Sequence, residues 1–255
     1  MNTTATLEGL RKMRMLTVTF DTQIPVYHIG QFRAAVAAKV GLEHDWFHNH
    51  NNDSTPTDDL LFTHKKYHYR FPKIQYKMAS GGRPMIVFLE ECVEEAHRFF
   101  SKSDWSLNIA GKHYDMKIDR LDMREYNMQI WERDFTYRLY KWQALNSHNF
   151  ARYNGLKTDA ERHEFLSSIL VGNLLSFATG LDWQLEKRLE VNVTKIIRQN
   201  RIQYKRMRVQ CFDVEFSTNM FLPQYLGVGK GGGKGFGVVR TSQRNTNHGH
   251  TTNLV

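Results

Sequence analysis

Cysteine and long apolar runs are both scarce in this sequence, and each shortage excludes a class of protein. The only two cysteines, Cys92 and Cys211, cannot build a disulfide framework or a four-thiolate zinc site. No apolar run approaches the ~20 residues that span a bilayer. The N-terminal run MNTTATLEGLRKMRML lacks the apolar core of a signal peptide. We therefore expect a soluble protein of the reducing cytoplasm.

Negative charge is also in short supply. The chain has 35 Lys and Arg against 26 Asp and Glu, a net charge of +9 and a pI near 9.5. Such a balance favours an anionic partner, which could be a nucleic acid, a membrane surface or an acidic protein. With 255 residues, 41% hydrophobic and 24% charged, the chain is long enough for one large domain or two small ones.

The first half of the chain follows the order strand, helix, two strands, helix, strand. Alternating apolar residues predict a strand over Met15–Phe20, and apolar residues three and four apart predict a helix after Pro25 that Gly41 ends. Further strands are predicted over 68–76, 85–89 and 114–121, with a helix over 90–100.

The second half is predicted as a β-α-β-β unit with a loop insertion, with a long helix over 159–180 and strands over 128–139, 190–197, 207–216 and at 238–239. We therefore predict an α+β fold of two tandem ferredoxin-like (RRM-like) domains. Their expected bounds are 1–122 and 123–240. Residues 241–255 show no apolar periodicity, and we expect a disordered tail there.

The most unusual segment is GVGKGGGKGFG, Gly227–Gly237, in which seven of eleven residues are glycine. Backbone N–H groups in such a loop can form concavities that bind anions, and two lysines add charge suited to phosphates. The segment fails as a nucleotide fingerprint, because no strand–helix unit follows it and no Ser or Thr follows Lys234. We predict that it contacts an RNA backbone through Gly227, Gly229, Lys230, Gly231, Gly232, Gly233, Lys234, Gly235 and Phe236. The alternative is a flexible linker.

Five of the twelve histidines lie between His44 and His68, in and beside a polar loop predicted over 48–59. Histidine is the side chain best suited to proton transfer near neutral pH. RNA cleavage without a metal needs a base, an acid and a cation, which His48, His50 and Lys39 could supply. Two other interpretations stay open: a metal site with the nearby carboxylates, and a set of solvated loop histidines.

Cations alternate with aromatic rings over 65–70. Lys65, Lys66 and Arg70 flank Tyr67, His68 and Tyr69, a composition that can follow phosphates and stack bases. An edge strand with solvated lysines is the competing interpretation. A second basic run, 187–208, holds eight Lys or Arg.

Three of these segments resemble one protein family. The run LPQYLGVGKGGGKGFGVV resembles the glycine-rich loop near the end of the CRISPR-associated repeat-processing endoribonucleases, the Cas-six family. YRFPKIQYK, residues 69–77, looks like a strand motif of that family. ILVGNLLSFATGLDW, residues 169–183, is similar to the variant found with type I-B systems. The chain departs from the family at Gly231–Gly233, where a serine or another residue is usual.

The resemblance implies two ferredoxin-like domains and metal-independent cleavage of CRISPR repeat RNA, leaving a 2′,3′-cyclic phosphate and a 5′-OH. By position it places catalysis on His48 and His50 with support from Lys39, and His44 is a possible substitute. We expect repeat RNA and other CRISPR effector subunits as partners, no membrane partner, and a monomer or homodimer. The sequence gives no basis for a cofactor. Two alternatives stay open: a non-catalytic RNA-binding subunit of an effector complex, and a metal-dependent hydrolase using His44, His48 and His50.

Overall fold

A computed structural model describes residues 11–41, 47, 71–101, 104–204 and 207–242. Its elements run in the order β1 (Arg11–Phe20), α1 (Ile29–Val40), β2 (Ile74–Met78), β3 (Pro84–Leu89), α2 (Cys92–Phe100), β4 (Leu107–Ile109), β5 (Lys112–Tyr114), β6 (Ile118–Met128), β7 (Ile130–Trp142), α3 (Ser147–Gly155), α4 (Asp159–Gly180), β8 (Val191–Tyr204), β9 (Met207–Met220) and β10 (Val238–Thr241). Short 3₁₀ turns cover Val26–His28 and Ser80–Gly82.

The chain divides into two compact units. One unit is Leu16–Asp122, and the other contains the described residues 11–15 and 123–242. The first sheet has the strand order β2-β3-β1-β6, and the second has the order β10-β7-β9-β8. Each sheet therefore places its first and third long strands in the centre, which is the ferredoxin-like arrangement. The predicted fold class is confirmed.

The core of the first unit lies between its sheet and helices α1 and α2. Phe20 of β1 meets Phe32 of α1 edge to face at a centroid distance of 5.9 Å and Phe99 of α2 at 6.1 Å. All three side chains are fully buried. The α1 helix ends as predicted at Gly41, whose N–H donates to the Ala37 carbonyl at 3.2 Å.

The core of the second unit lies under α4, whose predicted bounds are confirmed. Thr158 and Glu161 form a capping box at its start, because each side chain accepts a hydrogen bond from the other residue's backbone N–H. Bonds from the backbone of Thr158 and Lys157 hold the pKa of Glu161 below its usual value. Buried apolar residues line one side of the helix: Leu166, Leu170, Leu174 and Phe177.

Several boundaries differ from the sequence prediction. The second strand begins at Ile74 rather than before Pro72, since proline has no N–H for a sheet ladder. β8 continues seven residues past Ile197 to Tyr204, and β10 ends at Thr241 rather than at Val239. Helix α3 and the β4–β5 hairpin were not predicted. Among the described residues, none of the helices combines the length and apolarity needed to cross a bilayer.

Candidate nucleic-acid interface

The segment Gly227–Gly237, here called the glycine loop, occupies the connection between β9 and β10, where a ferredoxin-like unit often has its second helix. The loop closes on itself through backbone hydrogen bonds. The Val228 N–H donates to the Gly237 carbonyl at 2.9 Å, and the Lys234 N–H donates to the Gly231 carbonyl at 2.8 Å. These bonds give the loop a defined conformation, so it does not have the solvated backbone of a flexible linker.

Two of its glycines have no room for a side chain. Gly237 has φ +55°, and a Cβ there would overlap the Val228 carbonyl oxygen. Gly229 has φ +72°, and a Cβ there would overlap Oδ1 of Asn173 on α4. That oxygen accepts a hydrogen bond from Nε1 of the buried Trp142 at 2.8 Å. The loop is thus fixed against both α4 and the end of β7.

The loop separates into a buried side and an open side. Phe236 is only 6% exposed, and its ring meets Tyr204 edge to face at 5.1 Å. Because its ring is covered, Phe236 helps to hold the loop in place, and its contact with RNA stays a prediction. Gly227 and Gly232 are also buried, whereas Lys230 is exposed and Gly233, Lys234 and Gly235 are half-buried.

The loop's N–H groups do not form the consecutive row that the glycine content suggests. Those of Gly232, Lys234 and Phe236 donate to carbonyls within the loop, and that of Gly237 donates to the Lys141 carbonyl at 3.3 Å. Within the described part of the chain, Gly233 and Gly235 have N–H groups without a backbone acceptor. An anion at this loop would therefore meet these two donors and the Lys230 ammonium group.

A cation-rich hairpin lies beside the loop. β7 pairs with β9 only as far as Phe212, so over most of the range from Arg198 to Asp213 the described strand pairing lies within the β8–β9 hairpin itself. We call this part the basic ribbon. Arg198, Arg201 and Arg208 are exposed on it, and none has a carboxylate partner among the described residues.

The Tyr204–Phe236 contact joins the basic ribbon to the glycine loop. Tyr204 ends β8, and Phe236 comes two residues before β10 begins. The exposed Lys230 of the loop and the arginines of the ribbon therefore belong to one connected region of the second unit. These cations, which have no carboxylate partner among the described residues, suit a phosphate chain together with the half-buried N–H groups of Gly233 and Gly235.

Lys39 lies on the last turn of α1, as expected, but its ammonium group is already paired. Its Nζ lies 2.8 Å from Oδ2 of Asp104. The same carboxylate accepts hydrogen bonds from the backbone N–H and the hydroxyl of Ser106 at 2.7 and 2.8 Å. The Lys39 bond, with those from Ser106, holds the pKa of Asp104 well below its usual range. Any role for Lys39 with RNA has to compete with this ion pair.

The chain is anchored one residue before His48. Phe47 is 1% exposed, and its ring meets Phe88 of β3 edge to face at 6.2 Å. His44, His48, His50, Lys65, Lys66 and Arg70 lie outside the described residues, and their roles stay predictions. Among the residues that are described, no three His, Cys, Asp or Glu side chains are grouped to hold a metal ion.

Asn173 is a positioning residue that the sequence interpretation missed. It lies three residues after Leu170 and one before Leu174, so it interrupts the buried side of α4 with an amide. A polar side chain at such a position requires a hydrogen-bond partner. An asparagine among the apolar positions of the predicted helix could therefore have identified this residue from the sequence. The structure identifies the partner as Trp142.

The models of two domain families together match nearly the whole described chain. Residues 11–127 match the Cas6b N-terminal domain, and residues 129–242 match the Cas6b C-terminal domain. The order of the two matches agrees with the two ferredoxin-like sheets described above. The chain belongs to the Cas6b family.

The chain is also similar to individual proteins. The uncharacterized protein MJ0978 of Methanocaldococcus jannaschii is 32% identical over 134 residues, which are 52% of this chain and 90% of that protein. A crystal structure of Cas6b matches 91% of this chain and 100% of its own, with a TM-score of 0.75 and 24% identity. A crystal structure of the CRISPR RNA processing endoribonuclease Cas6b has the same coverage, with a TM-score of 0.61 and 22% identity. These two structures establish the fold.

Proposed function

We propose that this Cas6b-family protein is an endoribonuclease that cleaves CRISPR repeat RNA to release guide RNAs. The observation that carries the proposal is the match of both halves of the chain to the two Cas6b domains. A structural neighbour that covers 91% of the chain is a CRISPR RNA processing endoribonuclease. The net charge of +9 suits a polyanionic substrate.

The glycine loop and the basic ribbon are proposed to hold the RNA backbone. Lys230 and the N–H groups of Gly233 and Gly235 offer one phosphate site. Arg201 and Arg208 offer further charge along the ribbon, which Tyr204 and Phe236 join to the loop. Contacts of this kind position the RNA without reading its sequence. The proposed contacts of Lys65, Lys66 and Arg70 would extend this surface.

The proposed reaction is an internal transfer at one phosphate. A base removes the proton of the 2′-OH, and the resulting oxygen attacks the adjacent phosphorus. The bond from phosphorus to the 5′-oxygen then breaks, and an acid protonates that oxygen. The products are a 2′,3′-cyclic phosphate and a 5′-OH, with no metal required. We propose that His48 and His50 are the base and the acid, since both roles suit imidazole near neutral pH.

Lys39 is proposed to stabilise the charge that develops on the phosphate oxygens, as a cation near a developing anion would. In the free protein it is paired with Asp104. The two functions of Lys39 can be separated by two variants. Lys39→Ala removes both the ion pair and the cation, whereas Asp104→Asn weakens the ion pair and keeps the cation.

Cleavage of a labelled repeat RNA by single-site variants tests these assignments. We expect His48→Ala and His50→Ala each to slow cleavage by about 100-fold or more, as loss of a general acid or base does, with RNA affinity kept. Lys39→Ala should slow cleavage more than Asp104→Asn. His113→Ala, which changes an exposed histidine of β5, is the matched control and should cleave normally.

Three outcomes would contradict parts of the proposal. Normal cleavage by both His48→Ala and His50→Ala would overturn the site assignment. Equal rates for Lys39→Ala and Asp104→Asn would leave Lys39 with a structural role only. Tight binding of repeat RNA by the unaltered protein without any cleavage would support a non-catalytic RNA-binding subunit instead.

A further inference from the structure

The sheet of the second unit has one packed face and one open face. Tyr137, Leu139, Val214 and Phe216 point to the packed face, and all four are fully buried. Residues alternate between faces along a strand, so their neighbours Arg138, Tyr140 and Glu215 point to the other side. We call this side the outer face. Neither the glycine loop contacts nor the basic ribbon explains its composition.

Two arginines stand directly opposite each other on the outer face. Arg240 of β10 is the register partner of Arg138 of β7, which is in turn the partner of Glu215 of β9. The Arg138 side chain is half exposed, with its Nε 3.4 Å from Oε2 of Glu215. Like charges on directly opposed residues destabilise a sheet. Glu215 offsets part of this repulsion at Arg138, and an anion bound at this face would offset more of it.

The second feature of the outer face is a stacked pair. The guanidinium carbon of Arg240 lies 3.8 Å from the centroid of the Tyr225 ring. Tyr225 has φ +72°, a conformation that favours glycine and costs a bulky residue about 1–3 kcal/mol. Its N–H donates to the Val239 carbonyl at 2.9 Å, which holds the residue beside β10. Strain kept in an aromatic residue of this kind is typical of a binding site.

The third feature is Tyr140, which is 36% exposed and lies two residues after Arg138 on β7. Tyr140 and Arg138 share a face of β7, because residues two apart on a strand point to the same side. Tyr140 is the register partner of Val238, so Arg240 is its diagonal neighbour on β10. Diagonal neighbours lie about 7–8 Å apart, which is more than twice the ~3.4 Å rise of stacked bases.

We infer that the outer face of the second sheet binds an unpaired stretch of RNA, with one base on Tyr140, another on the Tyr225–Arg240 pair, and a phosphate at Arg138. Aromatic rings stack any base through its π-face, and arginine stacks on bases in the same way. The two arginines of the outer face, taken alone, would suit an acidic protein as well as RNA. The exposed Tyr140 and the strained Tyr225 add ring faces that an acidic peptide does not need.

We take the natural RNA to be an unpaired part of the cleaved repeat transcript, and this identification rests on the proposed function. The binding of unpaired RNA to the outer face does not depend on that function. A short oligoribonucleotide without the repeat sequence can therefore test the outer face separately from cleavage.

The test uses an eight-nucleotide unpaired RNA that carries one 2-aminopurine, whose fluorescence falls when it stacks on an aromatic ring. We expect quenching on binding to the full chain. Tyr140→Ala should raise the Kd by roughly 5- to 100-fold, the effect of losing one stacked base, and Tyr140→Phe should keep both affinity and quenching. Arg240→Lys, which retains charge but not the planar group, should weaken binding.

Tyr27→Ala is the control, since Tyr27 is a 78% exposed tyrosine of the other unit and its loss should change nothing. Thermal melting of each variant shows whether it folds, and Arg240→Lys decides the question if Tyr140→Ala does not fold. Unchanged affinity and quenching in a folded Tyr140→Ala or Arg240→Lys variant would overturn the inference. Absence of repeat cleavage by the unaltered protein, with quenching intact, would instead overturn the proposed function alone.

Discussion

Single residues of the glycine loop have separate roles, although the sequence presents them as one composition. Gly229 and Gly237 allow close backbone approach, Phe236 holds the loop against Tyr204, and Lys230 carries exposed charge. The sequence could predict a loop that suits phosphate, because glycine and lysine content is visible in it. It could not predict that Phe236 turns inward, because its partner Tyr204 is 32 residues away along the chain.

We expect Gly237→Ala to lower the free energy of unfolding by about 2 kcal/mol, because it adds a Cβ where the Val228 carbonyl lies and forces a left-handed conformation on alanine. RNA affinity should fall as well, since the loop conformation would change. Chemical denaturation and RNA titration measure the two effects.

Gly172→Ala is the matched control for this change. Gly172 lies inside α4, is exposed, and has nothing within 4 Å of an added Cβ. Alanine in a helix interior should raise stability by about 0.5–1 kcal/mol. Equal stability changes in the two variants would show that Gly237 is not sterically required.

At the scale of elements, the sequence predicts α4 well and β8 poorly. The start of α4 is encoded in a local capping box, and its length follows from a stripe of apolar residues that only Asn173 interrupts. In β8 the apolar alternation stops at Ile197, although the strand continues to Tyr204. The second part of β8 forms because β9 pairs with it, and pairing with a distant segment leaves little trace in local periodicity.

The basic ribbon is an element whose function can be tested by salt dependence. The triple variant Arg198→Gln, Arg201→Gln and Arg208→Gln should weaken repeat RNA binding and reduce the slope of log K against log salt. Each lost phosphate contact removes about 0.7 from the slope for single strands, so three contacts predict a decrease of about 2. Titrations over a range of salt concentrations measure it.

The control removes the same number of cations elsewhere. Lys12, Arg120 and Lys187 are exposed, and each is paired with a carboxylate: Glu125, Asp122 and Glu132. Substituting these three with glutamine should leave the slope nearly unchanged. If both triple variants reduced the slope equally, net charge rather than the ribbon would account for binding.

At the scale of the whole molecule, the order of elements was sufficient to predict two ferredoxin-like domains. Strand, helix and two strands recur in both halves, and the sheets adopt the expected order. The sequence did not show how the second unit connects β9 to β10 without a helix. The glycine loop supplies that connection, fixed by Asn173 and Trp142 through contacts between segments far apart in sequence.

We propose that the chain cleaves repeat RNA through the 2′-OH without a metal ion. The most direct measurement is cleavage of repeat RNA in excess EDTA, with and without a 2′-deoxy substitution at the scissile nucleotide. We predict cleavage in EDTA, 2′,3′-cyclic phosphate ends, and no cleavage of the substituted RNA. Cleavage that EDTA abolishes and a divalent cation restores, or that persists on the 2′-deoxy substrate, would contradict this account.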